Sequence, residues 1–324
     1  MDKKNAPQKN PGLAMMEAGD LAGARDAFEK ALVIDEQVFG PESKEVAADA
    51  RYLGNVLCRM GDFVGARPHF ERALRITQTI FGLDSAETAV DAGNFGVVLQ
   101  QLDEYPAARQ YFELALKNDE AGLGVDHPQV AVDLNRIAGL LLETGALKEA
   151  RDTYERVLDI DKKAFGEESL DVIEDLIHLS KVHVALEDLY AARACLERAA
   201  KTGEKLFGRQ HPQTAAFLIR LGGVVQAQGD LPAAADLYRQ AIQIDSAALG
   251  EKHQSLARDW NNLGVVLEKM QDKPGAIEAY SKALEILQAL LPADHPYLDG
   301  VKKNINRLET GDQDASRPRR WILS

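Results

Sequence analysis

The residues in this chain most suited to chemistry are its histidines, and four of them recur at one position of a repeating pattern. His127, His211, His253 and His295 are separated by multiples of 42 residues. Units that stack side by side place equivalent side chains in a row, with about 8–10 Å for each packed helix. Metal ligands must all lie about 2.0–2.2 Å from one ion, which a row cannot provide. We therefore expect a structural role for these histidines, with no metal site and no cofactor.

Two further histidines, His178 and His183, lie within one predicted helix. His183 stands where other repeats carry an apolar residue such as Leu57, which favours a histidine packed in the core over a ligand or a general base. The chain contains no phosphate-binding glycine loop, no nucleophile elbow and no HExxH motif. The paired acids Glu167 and Glu168 fall in a connector, where a solvated surface is the usual explanation. The sequence therefore predicts that the protein is not an enzyme.

Composition narrows the class of protein further. Of the 324 residues 45% are hydrophobic and only 6% aromatic, so alanine and leucine supply most of the core, which favours closely spaced helices. The two cysteines, Cys58 and Cys195, fit no metal spacing and imply no disulfide framework, so we expect ordinary buried thiols. A net charge of −13 argues against a nucleic-acid partner, because phosphate binding needs a basic face.

The apolar segments are too short to place the chain in a membrane. No apolar run approaches the ~20 residues needed to cross a bilayer. The start, MDKKNAPQKNPG, has no apolar stretch of the signal-peptide type. We expect a cytoplasmic protein with no membrane partner.

An internal repeat decides the expected fold. Alanine recurs every 42 residues, a large apolar residue follows four positions later, and a glycine follows sixteen positions later in six copies. The alanines are Ala24, Ala66, Ala108, Ala150, Ala192, Ala234 and Ala276. Apolar residues at offsets 0, +4, +7 and +8 form one stripe on a helix, which we name helix B. The glycine suits the end of this helix, where we expect a left-handed conformation.

A second helix, helix A, begins just after each glycine. Ser43, Ser85 and Ser169 are suitable N-caps, as is the aspartate of the DHP motif, and the proline of that motif suits the first helical turn. A glycine or alanine in the middle of helix A, such as Gly54, allows the neighbouring helix B to come close. Each unit is thus a helix hairpin that buries its stripe only against neighbouring hairpins.

The predicted fold is all-α: a right-handed α-solenoid of seven hairpins followed by a capping helix at Tyr297–Glu309. We expect residues 1–10 to be a disordered N-terminal segment, residues 11–309 to form the solenoid, and residues 310–324 to be a disordered basic tail. Pro11 shortens the first helix A.

The pattern of small and aromatic residues resembles that of tetratricopeptide repeats (TPRs). The 42-residue period, with FG or LG followed by DHP and then LNRIA or WNNLG, is similar to the long variant found in kinesin light chains and in many bacterial regulatory proteins. The resemblance covers about residues 11–309. It implies that the A helices line a concave groove, and that asparagines at the NNL position grip extended peptides. Here the matching candidates are Asn94, Asn135 and Asn262, with Asn261 adjacent.

The residues expected to face this groove are unusually rich in asparagine. Relative to the central small residue of helix A they lie at −6, −3, −2 and +1, which gives 24 positions in the second to seventh repeats. Five of the chain's 10 asparagines fall there. Five basic residues fall there too, but only one acid, Glu174, although 51 acids spread evenly over 324 residues would place about four. An asparagine that is merely tolerated on a solvated helix face is the alternative, and the concentration argues against it.

These observations predict a protein-interaction scaffold whose groove binds an extended, acidic peptide or a C-terminal carboxylate. An asparagine amide both donates and accepts, and a basic side chain adds charge-assisted bonds to carboxylates. The predicted peptide-binding residues are Arg51, Asn55, Asn94, Asn135, Arg136, His178, Lys181, Arg220, Arg258, Asn261 and Asn262. Two alternatives stay open: a regulatory or sensor module that controls a separate effector, and an array that self-assembles through the RPRRWILS tail.

Overall fold

The structure is a computed structural model, and it describes residues 11–310. The disorder predicted for residues 1–10 and for the tail from residue 311 onward falls outside the described residues. Within them every regular element is an α-helix, and there are 15 of these, so the all-α prediction is confirmed. The chain divides into two compact units at the Ala164–Phe165 bond.

The first unit contains four hairpins, each with an A helix followed by a B helix. Its helices are α1 (Pro11–Glu17), α2 (Leu21–Phe39), α3 (Lys44–Arg59), α4 (Phe63–Phe81), α5 (Ala86–Gln101), α6 (Tyr105–Leu123), α7 (Pro128–Glu143) and α8 (Leu147–Phe165), the last of which reaches the division. The first A helix, α1, has only 7 residues and begins at Pro11. From α1 to α7 each helix packs against the next one along the chain.

The second unit contains three hairpins and a final unpaired helix. Its helices are α9 (Leu170–Ala185), α10 (Leu189–Phe207), α11 (Pro212–Ala227), α12 (Leu231–Leu249), α13 (Gln254–Lys269), α14 (Lys273–Leu290) and α15 (Pro296–Thr310). The last helix covers the expected capping segment and extends to Thr310. Consecutive helices again pack together, and one continuous apolar cluster runs from Ala192 to Val301.

The apolar stripe predicted for helix B contributes to the core of both units. All seven recurring alanines are fully buried. The aromatic residue four positions later lies against the central glycine of helix A, so that a Cβ added at Gly54 would meet the Phe70 ring at 2.7 Å. The same distance separates a Cβ at Gly264 from the Tyr280 ring. These glycines therefore allow the close A–B approach that the sequence predicted.

The glycine after each B helix differs in one respect from the prediction. Gly40 has φ 89° and ψ 159°, and Gly82, Gly124, Gly208 and Gly250 are similar. The positive φ was expected, but a left-handed helical residue would have ψ near +47°. The observed extended ψ belongs to a region that glycine alone adopts readily. It turns the chain sharply from helix B toward the next helix A.

From α3 onward each A helix begins at a capping side chain, and in four repeats that side chain is a histidine. Ser43 accepts a hydrogen bond from the Val46 N–H at 3.3 Å. At the equivalent position His211 Nδ1 accepts from the Gln213 N–H at 3.1 Å. His127, His253 and His295 accept in the same way. The histidines thus have the expected structural role, and the cap is the histidine itself, not the aspartate that precedes it in the DHP motif.

Three other residues singled out in the sequence are partly buried. The two cysteines are half-buried and form no disulfide, and burial raises the pKa of the Cys58 thiol to about 11. His183 is half-buried, with its Nδ1 4.0 Å from an Asp188 carboxylate oxygen. A thiol with such a high pKa is not reactive at neutral pH, which agrees with the structural role expected for Cys58.

Candidate functional site

The A helices of the first unit form a surface that carries five of the predicted peptide-binding residues. We call it the first A face: Arg51 and Asn55 of α3, Asn94 of α5, and Asn135 and Arg136 of α7. All five side chains are half-buried. Neighbouring A helices are in contact, because Arg51 reaches from α3 to Asp91 of α5, and the Arg136 guanidinium fills the space beside Gly93. The asparagines therefore lie on adjacent helices.

The arginines of this face are engaged within the protein. Arg51 donates two hydrogen bonds to the buried carboxylate of Asp91, of which the one from Nη2 is 3.1 Å long. Arg136 Nη1 donates to Asp133 at 2.9 Å. In the second unit Arg258 Nε donates to Asp259 at 3.0 Å. Since each of these three cations already has a carboxylate partner, they contribute less free positive charge to a ligand than the sequence alone suggests.

A cavity in the second unit brings together three other predicted residues. It has a volume of about 620 Å³ and lies between α9 and α11, with Phe207 at the end of α10. His178 and Lys181 of α9 and Arg220 of α11 form its polar wall. Its apolar wall consists of Leu170, Ile173, Ile177, Phe207, Ala216 and Phe217, and Glu174 and Gln213 complete the lining. We call this the α9–α11 cavity.

The positive groups of this cavity lie close enough to repel one another. Burial lowers the pKa of the Lys181 ammonium, and the Arg220 guanidinium lowers it further. Burial also lowers the pKa of His178, with Lys181 and Arg220 adding to the shift. Among the described residues no carboxylate forms an ion pair with Lys181 or Arg220, although both side chains are exposed. An anion placed between them would relieve this repulsion.

The two adjacent asparagines of α13 have different environments. Asn261 is only 3% exposed, and neither its Oδ1 nor its Nδ2 has a hydrogen-bond partner. A ligand cannot reach the amide of Asn261 in this conformation, so we do not include it among the contacts proposed below. Asn262 is half-buried and remains accessible, as does Arg258.

Sequence reasoning missed the buried aspartates beneath the A-helix surfaces. Asp49, Asp91, Asp133, Asp175 and Asp259 are all buried, and all lie five positions before the central small residue of helix A. Their 42-residue recurrence was readable from the sequence. Aspartate is almost never fully buried unless it is paired. An aspartate that recurs within an apolar stripe therefore indicates a buried, paired carboxylate, and this could have been recognised from the sequence. Three of these aspartates hold the arginines described above.

The chain belongs to the tetratricopeptide repeat family. The family model, described as Tetratricopeptide repeat, matches residues 10–79, 47–121, 84–163, 174–247 and 218–289, which together cover most of the chain. Each unit is accordingly an α-solenoid segment built of TPR hairpins. TPR proteins are protein-interaction scaffolds, and the matched model does not indicate an enzyme family.

Solved structures of kinesin-light-chain-like TPR proteins share this fold. BtubC (BKLC) from P. vanneervenii has a TM-score of 0.60 at 22% identity, covering 71% of this chain and 91% of that one. A Podosopora anserina protein described as a kinesin light chain with nearly identical TPR-like repeats has a TM-score of 0.59 at 18% identity, covering 64% and 98%. The apo form of RapI has a TM-score of 0.59 at 16% identity, covering 86% and 95%. No curated protein matches the chain.

Residues 11–310 lack two features that are typical of other protein classes. That range contains no helix both long and apolar enough to cross a bilayer. The same range contains no group of three or more histidine, cysteine or acidic side chains arranged to hold a metal ion.

Proposed function

We propose that this protein is an interaction scaffold that binds an extended peptide segment bearing a carboxylate, and that the α9–α11 cavity is its anchoring site. The cavity carries the proposal, because Lys181 and Arg220 in its wall form no ion pair with a carboxylate of the described residues and lie in the same lining as Ile173, Ile177 and Phe217. Such a wall suits an apolar side chain next to a carboxylate, either a C-terminus or an aspartate or glutamate. Charge-assisted hydrogen bonds to Lys181 and Arg220 would hold that carboxylate.

Asparagines supply further proposed contacts within each unit. Asn262 on α13 in the second unit, and Asn55 and Asn94 on the first A face, offer amides that pair with a peptide backbone without selecting a side chain, whereas the Asn135 Oδ1 is buried. Their partial burial limits their freedom, which lowers the entropy lost when a ligand binds. In this proposal Asn262 supports the affinity for a peptide bound to the second unit, and the cavity of the same unit selects the carboxylate.

The proposal is tested with the full chain and labelled decapeptides. The probe peptide ends in an apolar residue with a free C-terminal carboxylate and carries two glutamates. One comparison peptide has a C-terminal amide, and another has glutamine in place of each glutamate. Fluorescence anisotropy gives the affinity. Each charge-assisted bond contributes about 1.5–3 kcal/mol, so Lys181→Ala with Arg220→Ala should weaken binding of the carboxylate peptide by at least about tenfold.

The matched control removes the same charge from B helices of the same unit. Lys201→Ala with Arg239→Ala should leave the affinity unchanged, since these exposed residues lie on α10 and α12. Asn262→Ala should weaken all the peptides alike. Equal loss in the control and the cavity variant would show a general charge effect, and no measurable binding of any peptide would refute the proposal.

Several finer predictions from the sequence belong to this proposal. We infer a non-enzymatic role in the cytoplasm. Self-association through the tail also stays a prediction, because the tail lies outside the described residues.

A further inference from the structure

Aspartates pair across the interface between consecutive hairpins. Each pair joins the B helix of one hairpin to the A helix of the next, and the pairs recur at multiples of 42 residues. In each pair the neighbouring aspartate helps to raise the pKa of the A-helix carboxyl group, and the two helices that carry the pair pack against each other. The pairs are Asp35 with Asp49 (α2–α3), Asp119 with Asp133 (α6–α7) and Asp245 with Asp259 (α12–α13).

Five of these six carboxyl groups are buried. Their exposed fractions are 0% for Asp259, 1% for Asp133, 3% for Asp245, 4% for Asp119 and 5% for Asp49, while Asp35 is half-buried. One oxygen each of Asp49, Asp133 and Asp259 is buried with no hydrogen-bond donor beside it. Such an oxygen gains a hydrogen-bond partner when the pair carries a proton, because the protonated carboxyl group donates its O–H to the neighbouring carboxylate.

Two neighbouring buried carboxyl groups resist ionising together, so the pair keeps one proton up to a higher pH than an isolated aspartate does. Burial is the largest cause of the shift and the neighbouring aspartate adds to it. Together they raise the pKa of Asp49 to about 6. They raise the pKa of Asp133 and of Asp259 to about 7, against the opposing effect of the nearby arginines.

The other charged groups that face each pair are few. Arg136 of α7 acts on the Asp119–Asp133 pair. Arg258 of α13 acts on the Asp245–Asp259 pair, together with His253 at the N-terminus of that helix. For Asp49, the neighbouring Asp35 is the charged group that acts on its pKa.

At two other interfaces of this chain the same two positions are filled differently. Thr77 of α4 takes the place of the first aspartate, and the facing Asp91 is then a single acid paired with Arg51. Gly203 and Phe217 fill both positions with groups that do not ionise. Within this one protein, interfaces between hairpins that have two carboxyl groups at these positions can therefore be compared with interfaces that have one or none.

We propose that the three aspartate pairs are proton-dependent clasps, which hold consecutive hairpins together when one proton is bound and loosen their interface when it is lost. The folded pair binds its proton more tightly than the unfolded chain does. Its contribution to stability is therefore complete below pH 4, and it is lost as the pH rises through about 6 to 7. The protein should consequently be more stable in mild acid than at pH 8.

Thermal unfolding of the full chain between pH 5 and pH 8 tests the clasps. The wild type should show a falling midpoint temperature across this range. Asp49→Asn with Asp133→Asn and Asp259→Asn should remove most of that slope, because an asparagine amide donates to the facing carboxylate without a bound proton. An equal slope in this variant and the wild type overturns the proposal.

The control removes three exposed aspartates, so that it changes the net charge by the same amount. Asp152→Asn with Asp159→Asn and Asp236→Asn should keep the wild-type slope, since these side chains face solvent. A flattened slope in this control as well would assign the pH effect to net charge and reject the clasps.

Two further measurements keep the proposal testable if the triple variant fails to fold. Asp119→Thr copies the arrangement of Thr77 and should reduce the slope, whereas Thr77→Asp creates a further pair with Asp91 and should increase it. Carbon NMR of the wild-type aspartate carboxyl groups should show signals that titrate with midpoints near 6 to 7. If every aspartate titrates below pH 5, the shared proton does not exist and the inference is wrong.

Discussion

Histidine caps are the clearest residue-scale feature of this chain. His127, His211, His253 and His295 each use Nδ1 to accept a backbone N–H in the first turn of an A helix. Serine does the same in three other repeats, at Ser43, Ser85 and Ser169. The first N–H groups of a helix have no partner inside it, so either side chain satisfies a donor that would otherwise be left to water.

Removal of one histidine cap should destabilise the protein measurably. We expect His211→Ala to lower the free energy of unfolding by about 1 kcal/mol, because the Gln213 N–H loses its acceptor. His211→Ser should recover most of the loss, since serine caps the equivalent position elsewhere. Urea unfolding measures both changes. If alanine and serine destabilise equally, the imidazole contributes by packing and not by capping.

At the scale of the elements, the turn from helix A to helix B is under strain in three hairpins. Gly19, Gly61, Gly145 and Gly229 take a positive φ at this turn, but Asp103, Glu187 and Gln271 occupy the same position with φ of 59° to 63°. A residue with a Cβ pays about 1–2 kcal/mol in this conformation. The sequence shows that Glu187 replaces the glycine found at this turn in other repeats. The strain itself can be recognised only from the backbone φ angle.

Relief of this strain should stabilise the second unit. We expect Glu187→Gly to raise the free energy of unfolding by about 0.5–1 kcal/mol, since the strain relieved exceeds the entropy cost of a glycine. The reverse change at the equivalent turn, Gly145→Ala, should lower it by about 1 kcal/mol, because Gly145 has φ 79°. Thermal unfolding reports both. A destabilised Glu187→Gly variant would mean that the side chain makes a compensating contact.

At the scale of the whole molecule, the helices α1 to α7 of the first unit and α9 to α15 of the second pack mainly on their immediate neighbours in the chain. Stability in such repeat proteins is approximately a sum of hairpin terms and nearest-neighbour interface terms. A local defect should therefore loosen the hairpin that contains it and the helices beside it. Helices several repeats away should keep their protection.

Overpacking one A–B contact tests this locality. Gly264→Val pushes a side chain into the Tyr280 ring, which a Cβ alone would meet at 2.7 Å, and should destabilise the protein by about 1–3 kcal/mol. Hydrogen exchange should quicken in α13 and α14 while α3 to α6 remain protected. Gly122→Ala, where no atom lies within 4 Å of the added Cβ, is the tolerated control. Exchange that quickens equally in α3 to α6 would show that the chain unfolds as one cooperative block.

Most of the fold was predictable from the sequence, because the same spacing of small and apolar residues recurs in seven copies. Ala66 and Phe70 alone would indicate one helix stripe, but their recurrence in phase at 42 residues fixes the hairpin, its boundaries and its neighbours. The candidate site was less predictable. The positions of Arg136 and Arg258 in helix A were readable, whereas their bonds to Asp133 and Asp259 depend on how helices approach in space.

By itself the sequence determined the helix periodicity, the capped boundaries and the family, because these follow from local spacing that every repeat shares. Only the tertiary structure decided that Asn261 is buried while Lys181 and Arg220 line one cavity. It also decided that Asp119 meets Asp133 across two hairpins. The physical reason is that burial and charge pairing depend on how closely neighbouring helices approach each other. The residue spacing within one helix does not determine the distance between two helices.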